Sequence, residues 1–284
     1  MSNISHLAHV DPAAKIGSDV TIGPFCVIGP DVIIGNNCNL INSVTIKGVT
    51  RIGPNNVFYQ NVVVGVAPQD LKYDGSPTKT IIGANNVLRE NCTVHRGTEL
   101  GGGITSIGNN NLIMCGAHVA HDCILADKIL LGNQSLLAGH VIIEEGAVIS
   151  ALIGIHHFVT IGKFCYIAGM TPVRRDVPPF VKFSGDPNEV RALNEEGLKR
   201  HNFTPEDLAA LKKAYKMLFR KGNTMSEQLD QLQASANLNS HVSYLCDFMR
   251  RSCSSRFGRY QETARQDDRK NRHFRKPAEL RDKE

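Results

Sequence analysis

The chain has 284 residues, 42% of them hydrophobic, with no tryptophan, few aromatics and a formal net charge of +5. No apolar run approaches the roughly 18 residues that span a bilayer, and the first residues lack the charged-then-apolar layout of a secretory leader. The composition therefore predicts a cytoplasmic protein with no stable membrane insertion. From Cys253 to Glu284 there are ten Lys or Arg against six Asp or Glu. That stretch holds most of the net charge, so the body is close to neutral and the balance is no nucleic-acid footprint.

From the N-terminus, branched aliphatic residues or phenylalanine recur at every sixth position: Val10, Ile16, Ile22, Ile28, Ile34, Leu40, Ile46, Ile52, Phe58, Val64. An insertion over residues 67–80 breaks the phase, Ile82, Leu88 and Val94 resume it, and a second insertion over 95–106 shifts it again. The longest block then runs without a miss from Ile107 to Val173. Helices repeat at 3.6 residues and strands at 2, so neither produces a period of six. The spacing predicts a parallel β-helix of short strands and turns. With three hexads per triangular coil, residues eighteen apart stack at about 4.8 Å. The repeats then make about eight coils, and so extended a surface predicts self-association.

None of the eight cysteines forms a C-x-x-C pair. Cys26, Cys38, Cys92, Cys123 and Cys165 each follow a hexad aliphatic by four places, which predicts reduced thiols filling one recurrent core slot.

The lattice is expected to end at Val173, because Pro178 and Pro179 cannot continue a sheet interior. The first domain is thus placed at 1–180 and a helical domain at 181–255. Its helices are predicted over Glu189–His201, from Thr204 to a stop at Gly222, over Ser226–Ala236 and over His241–Arg251. Residues 256–284 read as a basic, disordered tail.

Five histidines sit in the strictest part of the lattice: His118, His121, His140, His156 and His157. Adding eighteen to 121 gives Gly139, and adding eighteen again gives His157, with His140 and His156 one place to either side. The stacking rule alone thus gathers them along one edge. An imidazole there suits removal of a proton near neutral pH.

The ordered set Gln69-Asp-Leu-Lys-Tyr73, His95-Arg-Gly-Thr98, Gly101-Gly-Gly103, Ala117-His-Val-Ala-His-Asp-Cys123, Leu137-Ala-Gly-His140, Asp176-Val-Pro-Pro179 and Asn194-Glu-Glu-Gly-Leu-Lys-Arg200 resembles the UDP-N-acetylglucosamine O-acyltransferases. These belong to the hexapeptide-repeat transferases. The resemblance covers roughly residues 5 to 255 and implies a left-handed β-helix, a homotrimer with sites between subunits, and a helical C-terminal domain. It also implies the opening step of lipid A synthesis: a 3-hydroxyacyl chain passes from the phosphopantetheine of acyl carrier protein to the 3-hydroxyl of UDP-N-acetylglucosamine. No metal or dissociable cofactor is then required.

By the same resemblance His121 is the general base, the Gly139 N–H an oxyanion donor, and Asp122 the group that orients His121. Adjacent strand residues point to opposite faces, so only a corner would let that last pair meet. Asp70, Lys72, His118 and His140 are implied in contact with the sugar nucleotide or the donor. His156, Asn194, Glu196 and Arg200 are implied along the nucleotide or pantetheine groove. His157 stands where the family has glutamine, and Gly169 occupies the position implied to set acyl-chain length.

Two other classes compete: a trimeric β-helix enzyme of carbonic anhydrase type, with zinc on His118, His121 and His140, and a non-catalytic scaffold.

Overall fold

The computed structural model describes residues 2–220, 224–235 and 238–264. The predicted stop at Gly222, the predicted helix end at Ala236 and the tail from 265 onward lie outside the described residues.

Among the described residues, short strands stack into three sheets, two of eight strands and one of eleven, and up to Tyr166–Ile167 each strand pairs in parallel with the strand three places away. This is a left-handed parallel β-helix of eight three-strand coils; period six predicts the parallel coils, and the family resemblance implies the hand. We call the sheets the first, second and third faces in the order the chain meets them. The hexad aliphatics point inward: Ile22, Ile28, Leu40, Ile113 and Ile149 are at most 1% exposed. The five slot cysteines are equally buried, and all eight cysteines are unpaired. Burial pushes the Cys92 and Cys123 thiols up to about 12.

The corners explain the rest of the hexad. In most repeats the third residue after the aliphatic has a left-handed backbone, as at Asp19, Asn37, Asn55, Asn85 and Asn110. Asparagine and aspartate tolerate that conformation best after glycine. The asparagines also form a ladder between coils, Asn37 Nδ2 donating to Asn55 Oδ1 at 3.2 Å and Asn55 Nδ2 to Asn85 Oδ1 at 3.1 Å.

Both insertions leave the stack at the edge between the second and third faces. The first lies between strands Val63–Val66 and Lys79–Ile82, the second between Thr93–His95 and Ile104–Ile107. Each loop is thus shorter than the phase break suggested, since the returning strand has already begun at Lys79 or Ile104. The His118–Val119 and Ile124–Leu125 strands flank the same edge in the next coil, with His121 and Asp122 at the turn between them. The fold therefore sets two loops directly beside the corner that carries His121.

The coils run past Val173. Val173 and Val177 form parallel bridges to Ile155 and Ile161, and strand Val181–Ser184 pairs parallel to Tyr166–Ile167. Pro178 and Pro179 are no obstacle, because they fall in the turn before Val181. Glu189–Leu193 is a strand, not the first half of a helix, and runs antiparallel to Val181–Ser184. Its alternating burial fits a period of two.

Among the described residues four α-helices follow: α1 (Glu195–Arg200), α2 (Pro205–Arg220), α3 (Met225–Gln233) and α4 (Ser240–Cys253). The Thr204 hydroxyl accepts from the Asp207 amide at 3.1 Å at the start of α2, and Thr224 with Glu227 forms a capping box on α3. Leu211, Ala214 and Leu218 of α2 and Val242, Leu245 and Phe248 of α4 face the core. Among the described residues no helix is long and apolar enough to cross a membrane.

The predicted disordered tail begins too early. Arg256–Gly258 and Tyr260–Ala264 form two 3-10 turns. The buried Arg259 and Glu262 pair at 3.0 Å, Arg259 donates to the Arg174 carbonyl at 2.7 Å, and the Tyr260 amide donates to Asp176 Oδ2 at 3.0 Å. Low hydrophobicity hid this order, because polar contacts to the last coil supply it.

Candidate active site

At the corner after Val119 the chain turns through Asp122, whose φ is 60°. That turn brings two sequence neighbours together: His121 Nδ1 lies 2.8 Å from Asp122 Oδ2. The second insertion closes over the carboxylate. Thr98 donates to it twice, from its amide at 2.9 Å and its hydroxyl at 2.6 Å, and the Asp122 amide donates to Thr105 Oγ1 at 2.8 Å. A Cβ on Gly101 would lie 2.0 Å from the Asp122 carboxyl carbon, so only glycine lets the loop approach this closely.

Burial pushes the Asp122 pKa up, yet the bonds from His121 and Thr98 and the field of His140 outweigh it and hold the carboxyl below its usual range. An ionised carboxylate only accepts hydrogen bonds, so His121 Nδ1 must donate. The Nε2 atom then carries the free lone pair.

Gly139 stacks on His121. A Cβ there would lie 2.4 Å from the His121 Cε1 atom and 2.6 Å from Nε2. Glycine is thus required at 139 by the imidazole itself, a nearer cause than access for a substrate carbonyl. The amides on either side are engaged, Ala138 with Ile155 O and His140 with His121 O, both at 3.0 Å. The Gly139 N–H has no acceptor among the described residues, and Gly139 packs against the ring that carries the lone pair.

Asp70 reaches the same imidazole, its Oδ2 4.0 Å from His121 Nε2, and Lys72 Nζ is 3.8 Å from Asp70. The two insertions brace each other, since Arg96 Nε donates to Tyr73 Oη at 2.9 Å. His140 stands edge-on to His121 with ring centres 5.2 Å apart and stacks on Phe158 at 4.4 Å. His118 bonds Thr93 Oγ1 at 2.7 Å and meets the ring of His95 at 4.7 Å. Burial lowers the pKa of His118 and of His140 and takes that of His95 down to about 4, with neighbouring imidazoles adding to the effect. These three flanking rings are therefore neutral near pH 7.

Two cavities flank the corner. One, of about 540 Å³, lies along the second face, where His121, Gly139 and His156 border the apolar Leu136, Gly154 and Val173. The other, of about 570 Å³, lies on the third face and contains Asp70, Lys72, Thr98, Asp122, His140 and Phe158. His156 Nδ1 donates to the His157 carbonyl at 3.0 Å, and their rings are 3.9 Å apart.

Asn194, Glu196, Arg200 and Gly169 border neither cavity. Asn194 is buried and donates to the Phe164 carbonyl at 3.0 Å, while Glu196 pairs with Lys199 at 3.0 Å on the surface. Arg200 is exposed at the end of α1, and Gly169 lies on another corner, after strand Tyr166–Ile167. Thr98, Thr105 and Phe158 were not singled out from the sequence. The first lies within the His-Arg-Gly-Thr motif, but nothing in the period marks the other two.

The potential metal ligands that converge are His121, Asp122 and His140, within 4.8 Å of one another; His118 is not in that group. Asp122 already accepts three hydrogen bonds there, from the His121 ring and twice from Thr98. That arrangement fits a carboxylate orienting an imidazole better than a metal ligand.

Residues 13–48 match the family described as bacterial transferase hexapeptide (six repeats), and residues 176–258 match the second domain of UDP-N-acetylglucosamine O-acyltransferase. The acyl-[acyl-carrier-protein]–UDP-N-acetylglucosamine O-acyltransferase of Stutzerimonas stutzeri is 42% identical over 252 residues, 89% of this chain and 98% of that protein. The protein of the same name from Gloeothece citriformis is 42% identical over 74% of this chain and 75% of its own length. Among solved structures, the UDP-N-acetylglucosamine acyltransferase of Francisella novicida superposes with a TM-score of 0.85 at 40% identity, covering 90% of this chain and 92% of that one. The enzyme of that name from Bacteroides fragilis gives 0.84 at 37% identity, covering 87% and 96%. With an imidazole–carboxylate pair at a coil corner and relatives matched over three quarters or more of their length, this chain is an acyltransferase and belongs to the UDP-N-acetylglucosamine O-acyltransferase family.

Proposed function

We propose that the protein transfers a 3-hydroxyacyl chain from acyl carrier protein to the 3-hydroxyl of UDP-N-acetylglucosamine, the first step of lipid A synthesis. The observation that carries this reading is the His121–Asp122 pair, 2.8 Å apart, with Gly139 packed against the same ring. His121 Nε2 takes the proton from the sugar hydroxyl as its oxygen attacks the thioester carbonyl. The Gly139 N–H steadies the oxyanion, and Asp122 holds the ring and balances the imidazolium. As the tetrahedral intermediate collapses, the C–S bond breaks and the proton on His121 passes to the leaving thiolate. The acyl group arrives on the carrier's phosphopantetheine, so no metal or dissociable cofactor enters the scheme.

The two cavities suit two substrates. The second-face cavity, with Leu136, Gly154 and Val173 in its wall, accommodates the acyl chain, and the third-face cavity, with Asp70, Lys72 and His140, accommodates the sugar nucleotide. Asn194, Glu196, Arg200 and Gly169 lie apart from both in a single chain, which accords with a homotrimer whose neighbouring subunit brings them to the site. Arg200 and Lys199 are exposed cations suited to steering an acidic carrier.

The test is an assay of purified protein with UDP-N-acetylglucosamine and a panel of acyl carrier thioesters, with the product identified by mass. O-acylated sugar nucleotide is expected; no product with any thioester would overturn the proposal.

A further inference from the structure

The family match at the C-terminal end stops at residue 258, yet the chain continues in an ordered turn, Tyr260–Ala264. Its placement is specific. Gln261 Nε2 donates to Thr160 Oγ1 at 2.9 Å, on the third face two coils beyond Ile124. Together with the Arg259–Glu262 pair and the Tyr260–Asp176 bond, this fixes the turn over the last coils. Tyr260, Gln261 and Thr263 thereby border the third-face cavity that also holds Asp70, Lys72 and His140. The Tyr260 amide and carbonyl are both engaged, with Asp176 and with the Thr263 hydroxyl, and its ring lies under the Arg251 guanidinium at 4.9 Å, while its phenol hydroxyl has no hydrogen-bond partner among the described residues.

We infer that this turn is a wall of the acceptor site, with Tyr260 a binding residue for the sugar nucleotide and Gln261 the residue that positions it. The inference rests on the reading above that places the acceptor in the third-face cavity. The chemistry matches: a polyhydroxylated, anionic ligand beside Lys72 offers acceptors to a phenol and is excluded by bulk at residue 263.

Steady-state kinetics of the full-length protein, varying UDP-N-acetylglucosamine and acyl carrier thioester separately, tests it with three variants. Tyr260→Phe removes one hydrogen bond and should raise the acceptor KM by about 3- to 10-fold. Gln261→Ala frees the turn and should raise it comparably, with the effect reduced in Gln261→Asn. Thr263→Trp fills the cavity mouth and should raise it more, with the KM for the thioester within about twofold of wild type in every case. Thermal midpoints close to wild type show that the fold is intact. An acceptor KM unchanged in Tyr260→Phe and Thr263→Trp, or a shift confined to the thioester KM, would overturn the inference while leaving the reaction standing. A wild-type protein that fails to acylate UDP-N-acetylglucosamine would instead sink the functional reading beneath it.

Discussion

His121 and Asp122 are adjacent in the chain and hydrogen-bonded to each other, Nδ1 to Oδ2 at 2.8 Å. On a strand their side chains would diverge. The left-handed turn at Asp122 lets them meet, and Thr98 fixes the carboxylate from the opposite side. The site is therefore a property of a corner, and its first test is chemical.

Replacing His121 by alanine removes the proposed base and leaves the aliphatic lattice untouched. Acyl transfer should fall by on the order of 10²- to 10⁴-fold, with the thermal midpoint within a few degrees of wild type. Full activity in the alanine variant would leave the imidazole without the role assigned to it.

Asp122→Asn keeps the shape but offers one acceptor oxygen where the carboxylate offers two. Thr98 and the His121 ring then compete for it, and the ring can settle in the wrong tautomer. The expected result is a loss of kcat on the order of 10²-fold or more, together with about 1–3 kcal/mol of stability from unpaired buried groups. Denaturant titration and single-turnover rates separate the two effects.

Gly139→Ala places a methyl 2.4 Å from the His121 ring. The imidazole must swing away from both Asp122 and the oxyanion position, and a displacement near 1 Å can cost about 10²-fold. Activity should drop with little change in either KM. A variant of wild-type rate would show that the ring has room the coordinates do not give it.

His95 carries a pH signature. Burial first, then His118 and His121, lower its pKa to about 4, against 6.5 for the free side chain. As pH falls through 6.5 the unfolded chain takes up this proton and the folded one does not, so stability is lost progressively down to about pH 4. The full effect is of order 3 kcal/mol. Urea midpoints between pH 7 and pH 4 should fall more steeply for wild type than for His95→Gln; parallel profiles would contradict the assignment.

The thiols give a simple check on the core. Of eight cysteines only Cys253 is exposed and only Cys115 half-buried; the other six are buried. Under native conditions an alkylating reagent should modify Cys253 first and reach the buried six only on unfolding, as mass spectrometry would record.

Much of this was legible because the repeat is so strict. A period of six fixed the number of coils, the inward aliphatics and the column through His121, Gly139 and His157, and stacking by eighteen is what puts His121 against Gly139. What escaped had physical reasons. Glu189–Leu193 is short and closely followed by a helix, so the two merged into one expected helix. Phe158 occupies a left-handed corner that usually prefers asparagine or glycine, and only the fold shows that it stacks on His140. The turn from Arg256 to Ala264 is held by polar bonds to the last coil, which hydrophobic patterning does not register.

The antiparallel return of Glu189–Leu193 bears on how the stack ends. Identical coils present at their last strand the same bare row of amides and carbonyls that joins each to the next, so nothing in the repeat forbids further addition from another molecule. A strand running backwards occupies that row and breaks the template. Cut before Val181, the chain would offer an unprotected growing end, and filaments that lengthen with concentration would be the sign of it.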